Sequence, residues 1–464
     1  MIDLSLFSGQ RFAVFGLGIS GLSTALVLEK AGADVTLWDD NEVSCQNAID
    51  LGHHVKNLAS EDFRQFDGLI LSPGVPLTHP KPHWVVNKAN VANLPIMGDV
   101  ELFLQAVKQD RRAKIVAVTG TNGKSTTVSL IHHVLRQAGL DAHLGGNIGS
   151  TTVLDMPEIA QDRIYVVELS SYQIDLMPSL QKQGFAPDIS VLINVSADHI
   201  DRHGSIENYA EVKSQIFVQQ SADDLAIIGV DDEFGARFAK YYDAKSLSAV
   251  GRLADIYCEN GQISAGGKIL LDLSDAPNLQ GVHNAQNAAI TYMIAQYFKV
   301  DDAVIAKAMN DFSGLEHRME LVGKISTDFG DILFINDSKA TNAGAVKPAL
   351  GAYEQIYWVA GGRAKQGGLK PLLKPLQKIK KAYLYGQCAQ DFAGQLIGVA
   401  NFEVFSQMSE SVNKALTDIM HNAEDGLKVI LLSPAAASFD QFENFEMRGK
   451  QFKQLAKKLG AKPI

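Results

Sequence analysis

The feature that most constrains the fold is a pattern that recurs along the whole chain. A short run of apolar and β-branched residues ends in Gly, Ser or Asp, and a helical pattern follows. Parallel sheets are typically encoded this way, because their strands are covered on both faces and are connected through helices. We predict strands at 11–16, 34–39, 68–74, 114–120, 165–171, 191–196, 225–232, 332–338, 356–362, 382–386 and 429–435. The pattern therefore predicts an α/β fold class.

The strands fall into three series, and 464 residues correspond to about three domains of ordinary size. Charged and polar residues cluster near 109–114 and near 310–318, which favours domain boundaries there. Between them, residues 245–282 contain several glycines and are predicted to form an irregular or β-rich insert. The predicted domains are 1–110, 111–312 and 313–464.

Composition excludes several classes of protein. The net charge of −10 disfavours a protein that binds nucleic acid, since such proteins usually show a basic surface. Three distant cysteines without metal-ligand spacing are typical of a reducing compartment. No apolar run approaches the ~18 residues that a membrane span requires, and the first residues lack a basic segment. We therefore expect a cytoplasmic protein without membrane insertion.

A phosphate-binding loop is predicted after the strand at 114–120. It consists of Gly120, Thr121, Asn122, Gly123, Lys124, Ser125 and Thr126. In such a loop, backbone N–H groups and a helix N-terminus face the phosphates, Lys124 reaches the β and γ oxygens, and the Ser125 hydroxyl can hold Mg²⁺. Val118 replaces the first glycine of the common spacing, which indicates a shorter variant of the loop. The alternative is a glycine-rich turn with a chance Lys-Ser pair.

A second glycine motif, at 16–21, follows the first predicted strand, and Asp39 ends the next one. This is the dinucleotide fingerprint, and by itself it favours an NAD-dependent oxidoreductase. The fingerprint binds a diphosphate and a ribose-like hydroxyl, however, and a UDP-sugar also carries a diphosphate. The segment Ser72-Pro73-Gly74 ends another strand at the same edge and could supply a further donor, or form only a tight turn.

Polar residues also end the central strands. Glu168 ends one strand, and Asp198, His199 and Asp201 follow another, so we expect them at the sheet edge that carries the phosphate loop. Ser125 and Glu168 form a plausible Mg²⁺ site with ATP oxygens. Lys213 lies in a helical pattern and, from the sequence alone, is predicted to be a solvated lysine.

Together these motifs resemble the Mur ligase family of ATP-dependent amino-acid ligases, over essentially the whole chain. The motifs that carry the resemblance are TGTNGKST (119–126), ELSSYQ (168–173), NVSADHIDRHG (194–204), YAEVKSQIF (209–217), GVHNAQNA (281–288), LEHRME (315–320) and NDSKATN (336–342). The resemblance implies a Rossmann-like N-terminal domain that binds a UDP precursor, a central P-loop ATPase-type domain and a Rossmann-like C-terminal domain that binds an amino acid.

The resemblance also implies roles for individual residues. The UDP-precursor contacts it implies are Gly18, Ile19, Ser20, Asp39, Ser72 and Asn147. The ATP contacts beyond the phosphate loop are Asn284, Asn287, Arg318 and Asp337. The glutamate contacts are Thr341, Lys365, Ser438 and Phe445. The catalytic residues are Lys124, Glu168, His199 and Lys213, and the metal ligands are Ser125, Glu168, His199 and Lys213. Lys213 matches a lysine that the family carbamylates, which turns it into an oxygen ligand for a second Mg²⁺.

Within the family, NDSKATN, GGRAKQGG (361–368) and LLSPAAASFDQFENFEMRG (431–449) are similar to the members that add D-glutamate to UDP-N-acetylmuramoyl-L-alanine. The implied activity is an ATP-dependent acid–amino-acid ligase in peptidoglycan synthesis, with an acyl phosphate intermediate, without NAD and without an obligate protein partner. One alternative is a folylpolyglutamate synthase-like ligase, which the fingerprint in a dedicated first domain disfavours. A regulatory P-loop protein would leave Glu168, His199 and NDSKATN unexplained.

Overall fold

The computed structural model describes the chain except residues 150–151, 183–184, 249–253, 260, 275, 280–281, 365–367 and 463–464. The chain folds into two compact units, Met1–Phe312 and Ser313–Ile464. Each unit consists of mostly parallel sheets with helices between the strands, so the α/β fold class predicted from the sequence is confirmed. The boundary predicted at 110 and the resulting three domains stay a prediction.

The first sheet of the Met1–Phe312 unit has the order β2-β1-β3-β4, and all its pairs are parallel. Its strands are β1 (Arg11–Phe15), β2 (Asp34–Trp38), β3 (Gly68–Leu71) and β4 (Ile96–Met97). The helices are α1 (Ile19–Lys30), α2 (Glu42–Asp50), α3 (Trp84–Val91) and α4 (Asp99–Asp110). Because β1 and β3 are parallel neighbours, the loops that follow them meet at one edge of the sheet.

The second sheet of this unit has the order β13-β12-β11-β10-β9-β8-β5-β7-β6 among the described residues. Its strands are β5 (Lys114–Thr119), β6 (Ala142–Gly146), β7 (Ile164–Glu168), β8 (Ile189–Leu192), β9 (Leu225–Gly229), β10 (Lys245–Ser248), β11 (Ile256–Glu259), β12 (Gln262–Ala265) and β13 (Lys268–Asp272). The helices are α5 (Lys124–Gln137), α6 (Ser171–Ile174), α7 (Ser179–Lys182), α8 (Ile200–His203), α9 (Ile206–Ser214), α10 (Glu233–Tyr241), α11 (Val282–Tyr297) and α12 (Asp302–Asn310).

The insert predicted at 245–282 is β-rich. Strand β10 continues the parallel part of the sheet, and β11 pairs with it in parallel. Strands β12 and β13 then extend the same sheet in antiparallel fashion. The insert therefore lengthens one edge of the sheet, while the phosphate loop lies at β5, far from that edge.

The two sheets of this unit share an apolar core. Phe12 and Val14 of β1 belong to the same buried cluster as Ile115 and Ala117 of β5. Between them, Phe103 of α4 packs edge-on against Tyr165 of β7, with ring centroids 5.2 Å apart. Burying each large apolar side chain contributes about 1.5–3 kcal/mol. This shared core explains why residues 1–312 form one compact unit although they contain two sheets.

The Ser313–Ile464 unit has one six-stranded sheet, in the order β14-β15-β20-β16-β18-β19, and a two-stranded pair, β17-β21, among its described residues. The strands are β14 (Glu320–Thr327), β15 (Gly330–Asn336), β16 (Gln355–Gly361), β17 (Arg363–Ala364), β18 (Lys381–Tyr385), β19 (Phe402–Phe405), β20 (Lys428–Leu432) and β21 (Ala436–Ala437). The helices are α13 (Ala343–Gly351), α14 (Leu373–Leu376), α15 (Ala389–Leu396), α16 (Met408–Asn422) and α17 (Phe445–Lys458). Only β14 pairs in antiparallel fashion within the larger sheet.

Candidate active site

The loop between β1 and α1 is tight because Gly16 at its start approaches Gly21 in the first turn of α1. Gly16 has a φ of 94°, in the left-handed region. A Cβ on Gly21 would lie 1.9 Å from the Gly16 carbonyl oxygen, so no side chain fits there. The Leu17 N–H donates to Asp39 Oδ2 at 2.7 Å and holds the loop against the end of β2. This geometry leaves Gly18 and Ile19 exposed at the start of α1.

A cavity of about 470 Å³ opens in the Met1–Phe312 unit. Seven of the residues predicted as site residues line it, namely Ile19, Ser20, Thr121, Lys124, Asn147, His199 and Lys213. Ser72 lies behind the first loop, with its N–H bonded to the Phe15 carbonyl at 2.9 Å. Both glycine-rich loops therefore contribute to the same cavity, although they are far apart in the sequence.

The phosphate loop connects β5 to α5. Gly123, the residue before the helix, has a φ of 86°, which favours glycine. Asn194 fastens the loop from the end of β8, because its carbonyl accepts from the Thr121 N–H and its side-chain oxygen from the Asn122 N–H, both at 2.9 Å. The Lys124 ammonium donates back to the carbonyls of Gly120 and Thr121 at 2.9 and 3.0 Å. The predicted strand–loop–helix geometry is present.

The first turn of α5 is held from α11. Ser125 is buried, and the neighbouring Thr127 hydroxyl donates to Asn287 Oδ1 at 2.9 Å. The Asn287 amide in turn donates to Asn284 Oδ1 at 3.3 Å. The two asparagines predicted as ATP contacts thus lie against the phosphate-loop helix. Thr127, which links them to it, was not singled out from the sequence.

Glu168 at the end of β7 is buried next to Asn147. The Asn147 N–H donates to the Glu168 carbonyl at 2.9 Å, and its amide lies 3.5 Å from Glu168 Oε1. The other carboxylate oxygen, Oε2, is buried and has no hydrogen-bond partner among the described residues. A buried carboxylate oxygen without a partner is costly unless a cation or a donor meets it. Glu168 therefore fits a role as a ligand for a hard cation.

Among the described residues, no three His, Cys, Asp or Glu side chains form a metal-binding group. The predicted metal ligands differ from such a group, because Ser125 supplies a hydroxyl and Lys213 an amine. Hydroxyl and carboxylate oxygens are the donor types that Mg²⁺ prefers, and Mg²⁺ keeps several waters in addition to a few protein ligands. The donors of Ser125 and Glu168 fit a magnesium ion that is bound together with a nucleotide.

Lys213 is buried at the end of α9, and only 1% of its surface is exposed. The prediction of a solvated lysine, made from the helical pattern alone, is therefore wrong. Its ammonium lies 3.0 Å from the Gly120 carbonyl and 3.3 Å from the Thr119 hydroxyl, and it also faces the Tyr209 ring. Burial lowers the pKa of Lys213 well below its usual range, and the positive charge of Lys124 lowers it further. A neutral amine is thus favoured under the phosphate loop.

His199 precedes α8 in a left-handed conformation, with a φ of 53°. Its Nδ1 lies 2.8 Å from the Tyr172 hydroxyl, and its Nε2 lies 3.5 Å from an Asp198 oxygen. Burial lowers the pKa of His199, and the Asp198 charge opposes this effect. The neutral imidazole is therefore favoured, which is the form that binds metals. Tyr172 also lines the cavity, and sequence reasoning did not single it out.

Asp337, one of the predicted residues of the Ser313–Ile464 unit, is a buried carboxyl group. Asp337 follows β15 and accepts from the Ser433 hydroxyl at 2.6 Å and from the Met319 N–H at 3.2 Å. Burial raises the pKa of Asp337 to about 7, although the Ser433 hydrogen bond and the Arg318 charge act in the opposite direction. Arg318 thus lies close enough to Asp337 to act on it electrostatically.

Three of the glutamate contacts implied by the resemblance are described in this unit, namely Thr341, Ser438 and Phe445. Ser438 is buried after β21, and Thr341 is half-buried in the loop before α13. The Phe445 carbonyl accepts from the Ser338 hydroxyl at 2.8 Å, which ties the start of α17 to the loop of Thr341. Lys365 lies outside the described residues.

Arg448 holds these loops together, and sequence reasoning did not single it out. Its guanidinium is fully buried and donates to the Ser338 carbonyl at 2.8 Å, the Ala436 carbonyl at 3.0 Å and the Gly361 carbonyl at 3.3 Å. Its Nε also donates to the Ser338 hydroxyl at 2.9 Å, which is a second bond to that residue. An arginine presents five N–H donors in a fixed plane, which suits such a junction.

None of the described helices is long and apolar enough to cross a membrane.

Comparison with known proteins places these features in one family. The Mur ligase middle domain matches residues 118–295, and the Mur ligase MurD-like N-terminal domain matches residues 10–98. The UDP-N-acetylmuramoylalanine--D-glutamate ligase of Caulobacter sp. (strain K31) is 42% identical over 476 aligned positions, which cover 99% of this chain and 98% of that protein. The enzyme of the same name from Rhizobium johnstonii is 43% identical, with 97% of this chain and 96% of that protein covered.

The fold has counterparts among solved structures. The UDP-N-acetylmuramate-alanine ligase of Thermotoga maritima superposes with a TM-score of 0.58 at 18% identity, over 97% of this chain and 100% of that chain. At this level of identity the likeness concerns the fold alone. The sequence identities to the two ligases extend over nearly the whole of each chain. This chain therefore belongs to the Mur ligase family.

Proposed function

We propose that this protein is an ATP-dependent ligase that joins D-glutamate to the carboxylate of UDP-N-acetylmuramoyl-L-alanine, in the cytoplasmic synthesis of peptidoglycan precursors. The observation that carries the proposal is the cavity that both glycine-rich loops line, with Ile19 and Ser20 from the first loop and Lys124 and Lys213 at the second. The names of the two full-length relatives support the choice of substrates.

The precursor binds at the first loop in this proposal. The exposed backbone of Gly18 and the start of α1 face its diphosphate, because a helix N-terminus attracts anions. The proposed precursor contacts are Gly18, Ile19, Ser20, Asp39, Ser72 and Asn147. Asn147 also contacts Glu168, so the far end of the precursor and the ATP phosphates meet in the cavity.

ATP binds at the phosphate loop, with its phosphates against the backbone of 120–126. The proposed contacts outside the loop are Asn284, Asn287, Arg318 and Asp337. Ser125 and Glu168 would hold a first Mg²⁺, and His199 with a modified Lys213 would hold a second. Bound Mg²⁺ supplies charge neutralisation at the phosphate oxygens. Lys124 adds a mobile cation that exchanges its bonds to two loop carbonyls for bonds to phosphate.

The proposed modification of Lys213 is a carbamate. A neutral amine attacks CO₂, forms an N–C bond and loses one proton, which leaves an anion with two oxygens. An ordinary lysine, with a pKa of about 10.4, would present a cation and repel the metal. The burial of Lys213 and the nearby charge of Lys124 favour the neutral amine that this reaction requires. The Gly120 carbonyl oxygen and the Thr119 hydroxyl, which contact the Lys213 nitrogen, would then lie beside the carbamate.

The reaction begins with attack of the precursor carboxylate on the γ-phosphorus of ATP. The bond to ADP breaks, and an acyl phosphate forms. Lys124 stabilises the charge on the transferring oxygens, since a positioned cation acts most strongly where charge develops. The neutral amine of D-glutamate then attacks the acyl carbon, and phosphate leaves from the tetrahedral intermediate with one oxygen of the original carboxylate. The proton that the amine loses as the amide forms is taken up by the leaving phosphate.

D-Glutamate would be held in the Ser313–Ile464 unit by Thr341, Lys365, Ser438 and Phe445. Its two carboxylates need a cation and hydroxyl donors, which a lysine and the Ser and Thr side chains supply. Arg448 orients the loops that carry these residues, because its guanidinium joins the segments at Ser338, Gly361 and Ala436. We assign Arg448 a positioning role rather than contact with the substrate.

An assay of phosphate release from ATP tests the proposed function. Each UDP-N-acetylmuramoyl precursor, with and without a peptide stem, is combined with a panel of D- and L-amino acids. We expect turnover with UDP-N-acetylmuramoyl-L-alanine and D-glutamate, and none with L-glutamate. The Lys124→Ala variant is the matched control, because it removes the phosphate-loop cation and leaves the other site residues in place. Higher turnover with another pair of substrates would contradict the proposal.

A further inference from the structure

Asp99 lies in the cavity, and neither the motifs nor the proposed mechanism uses it. It is the first residue of α4, lines the cavity beside Ser20 and exposes only 4% of its surface. Its Oδ2 accepts a hydrogen bond from the Ser20 hydroxyl at 2.8 Å, and its Oδ1 accepts from the Val100 N–H at 2.9 Å. A carboxyl group thus sits directly behind one of the residues proposed to meet the diphosphate of the precursor.

The elements packed against the start of α4 bring acids toward Asp99, while Lys124, Lys213, His199 and Asp198 line the same cavity. The short helix Val153–Asp155 packs against α4 and carries Asp155, whose charge acts on Asp99. On α4 itself, Glu101 points to the Ser179 hydroxyl at 2.8 Å. Beside α6, which also packs against α4, lies the half-buried Asp175. The start of α1, which supplies Ser20, carries no charged side chain in its first turn. The Asp155 charge therefore opposes a negative charge on Asp99.

The protonation of Asp99 decides what Ser20 can offer to a ligand. A serine hydroxyl has one hydrogen and two lone pairs. When Asp99 is ionised, the Ser20 hydrogen is given to the carboxylate, and only lone pairs face the cavity. When Asp99 is protonated, the carboxyl hydrogen is donated to Ser20, and the Ser20 hydrogen can be donated to an anion. Only the second arrangement binds a diphosphate oxygen.

We propose that Asp99 is a binding-site residue for the precursor that becomes protonated in the complex, so that Ser20 donates to the diphosphate and binding takes up a proton. This inference rests on the proposed function. Burial raises the pKa of Asp99 in the protein without ligand, and the Asp155 charge adds to this effect. A dianion placed at Ser20 raises it further, since like charges disfavour ionisation.

Isothermal titration calorimetry with UDP-N-acetylmuramoyl-L-alanine, in the absence of ATP, tests the inference. Titrations in buffers of different ionisation enthalpy give the number of protons taken up, at several values between about pH 6 and pH 9. The diphosphate diester and the carboxylate of the ligand are ionised throughout this range, and its uracil ring loses a proton only toward about pH 9, so the titrations up to about pH 8 decide the result. We expect net proton uptake and an affinity that falls with rising pH, by at most about tenfold per pH unit for one proton.

The Asp99→Asn variant separates this role from a structural one. Its amide can donate to Ser20 permanently, as the protonated carboxyl would, so we expect retained affinity without proton uptake or pH dependence. Asp50→Asn, which changes an exposed carboxylate on α2, is the control and should keep the uptake of the original protein. Precursor binding without proton uptake, or uptake that Asp99→Asn leaves unchanged, would overturn the inference. Absence of precursor binding would instead contradict the proposed function, and the inference with it.

Discussion

The two glycine-rich loops of the Met1–Phe312 unit follow the first strands of their sheets and open onto one cavity, yet they are built differently. In the segment 16–21, the glycines allow the backbone to pack closely against itself. The carboxyl groups of Asp39 and Asp99 accept hydrogen bonds from Leu17 and Ser20 of this segment. In the loop at 120–124, two lysines lie within 3.0 Å of loop carbonyls, one at the start of α5 and one from α9. The first loop is backed by acids, and the second by the cation of Lys124 and the buried amine of Lys213.

The difference indicates which chemistry each loop can perform. A diphosphate that is only held in place needs backbone donors and a hydroxyl, which the first loop provides. A phosphoryl group that is transferred needs cations where charge develops, and only the second loop brings them. The same strand–loop–helix geometry thus serves binding at 16–21 and, in our proposal, catalysis at 120–126.

The largest effect is expected from Lys124→Ala. Removal of the cation at the second loop should lower the rate of phosphoryl transfer by at least about 10²–10³-fold, as for other groups that stabilise developing charge. The affinity for the precursor should change little, since its diphosphate is bound at the first loop. Phosphate release and calorimetry measure the two effects separately. A loss of precursor affinity as large as the loss of rate would show that the second loop also binds the precursor.

Lys213→Ala should be nearly as damaging, because in our proposal it removes a carbamate oxygen ligand. Short carboxylic acids such as formate or acetate should then restore part of the activity, since they return oxygen donors to the cavity left by the side chain. Lys240→Ala, at an exposed lysine on α10, is the control and should remain active. Near-normal activity of the Lys213 variant, or rescue by amines alone, would refute the carbamate.

A pair of glycine variants sharpens the description of the first loop. A Cβ at Gly21 would overlap the Gly16 carbonyl, whereas a Cβ at Gly18 would meet no atom within 4 Å. Gly21→Ala should therefore cost about 1–3 kcal/mol of stability, as overpacking does, and lower the melting temperature. Gly18→Ala should leave the melting temperature unchanged but weaken precursor binding, because the new methyl group faces the ligand. The reverse pattern would contradict the assigned geometry.

The smallest expected effect is the response to NAD. Both oxygens of Asp39 already accept backbone hydrogen bonds, from Leu17 at 2.7 Å and from Asn41 at 2.8 Å. These bonds hold Asp39 against the first loop, and in our proposal the UDP precursor rather than NAD occupies that loop. We expect no saturable NAD binding at micromolar concentrations in a fluorescence titration. Saturable binding that Gly18→Ala abolishes would revive the oxidoreductase alternative.

Much of the fold could be predicted because buried parallel strands are continuous apolar runs. Each predicted strand is present, and each ends one to four residues before its predicted end, since the closing Gly, Ser and Asp residues belong to the loops. Strand β6 was missed because its sequence, AHLGG, contains a histidine and two glycines. Strand β14 was missed because it is an antiparallel edge strand with polar residues.

The site was predictable only where a motif is local. The phosphate loop lies within seven consecutive residues, and its geometry follows from the sequence. The burial of Lys213 does not follow from the sequence, because α9 also carries polar residues that are exposed. Only the packing of α9 under Thr119 and Gly120 buries the amine. Asp99 and Ser20 form a hydrogen bond although they are 79 residues apart in the sequence, and no periodic pattern predicts such a contact.

Oxygen transfer tests the central claim most directly. The terminal carboxylate of UDP-N-acetylmuramoyl-L-alanine is labelled with oxygen-18 and incubated with the enzyme, ATP, Mg²⁺ and D-glutamate, and the released phosphate is analysed by mass spectrometry. An acyl phosphate intermediate predicts that each released phosphate carries one carboxylate oxygen, with the amide product formed in equal amount. Unlabelled phosphate, or labelled phosphate without a glutamate-containing product, would contradict the account.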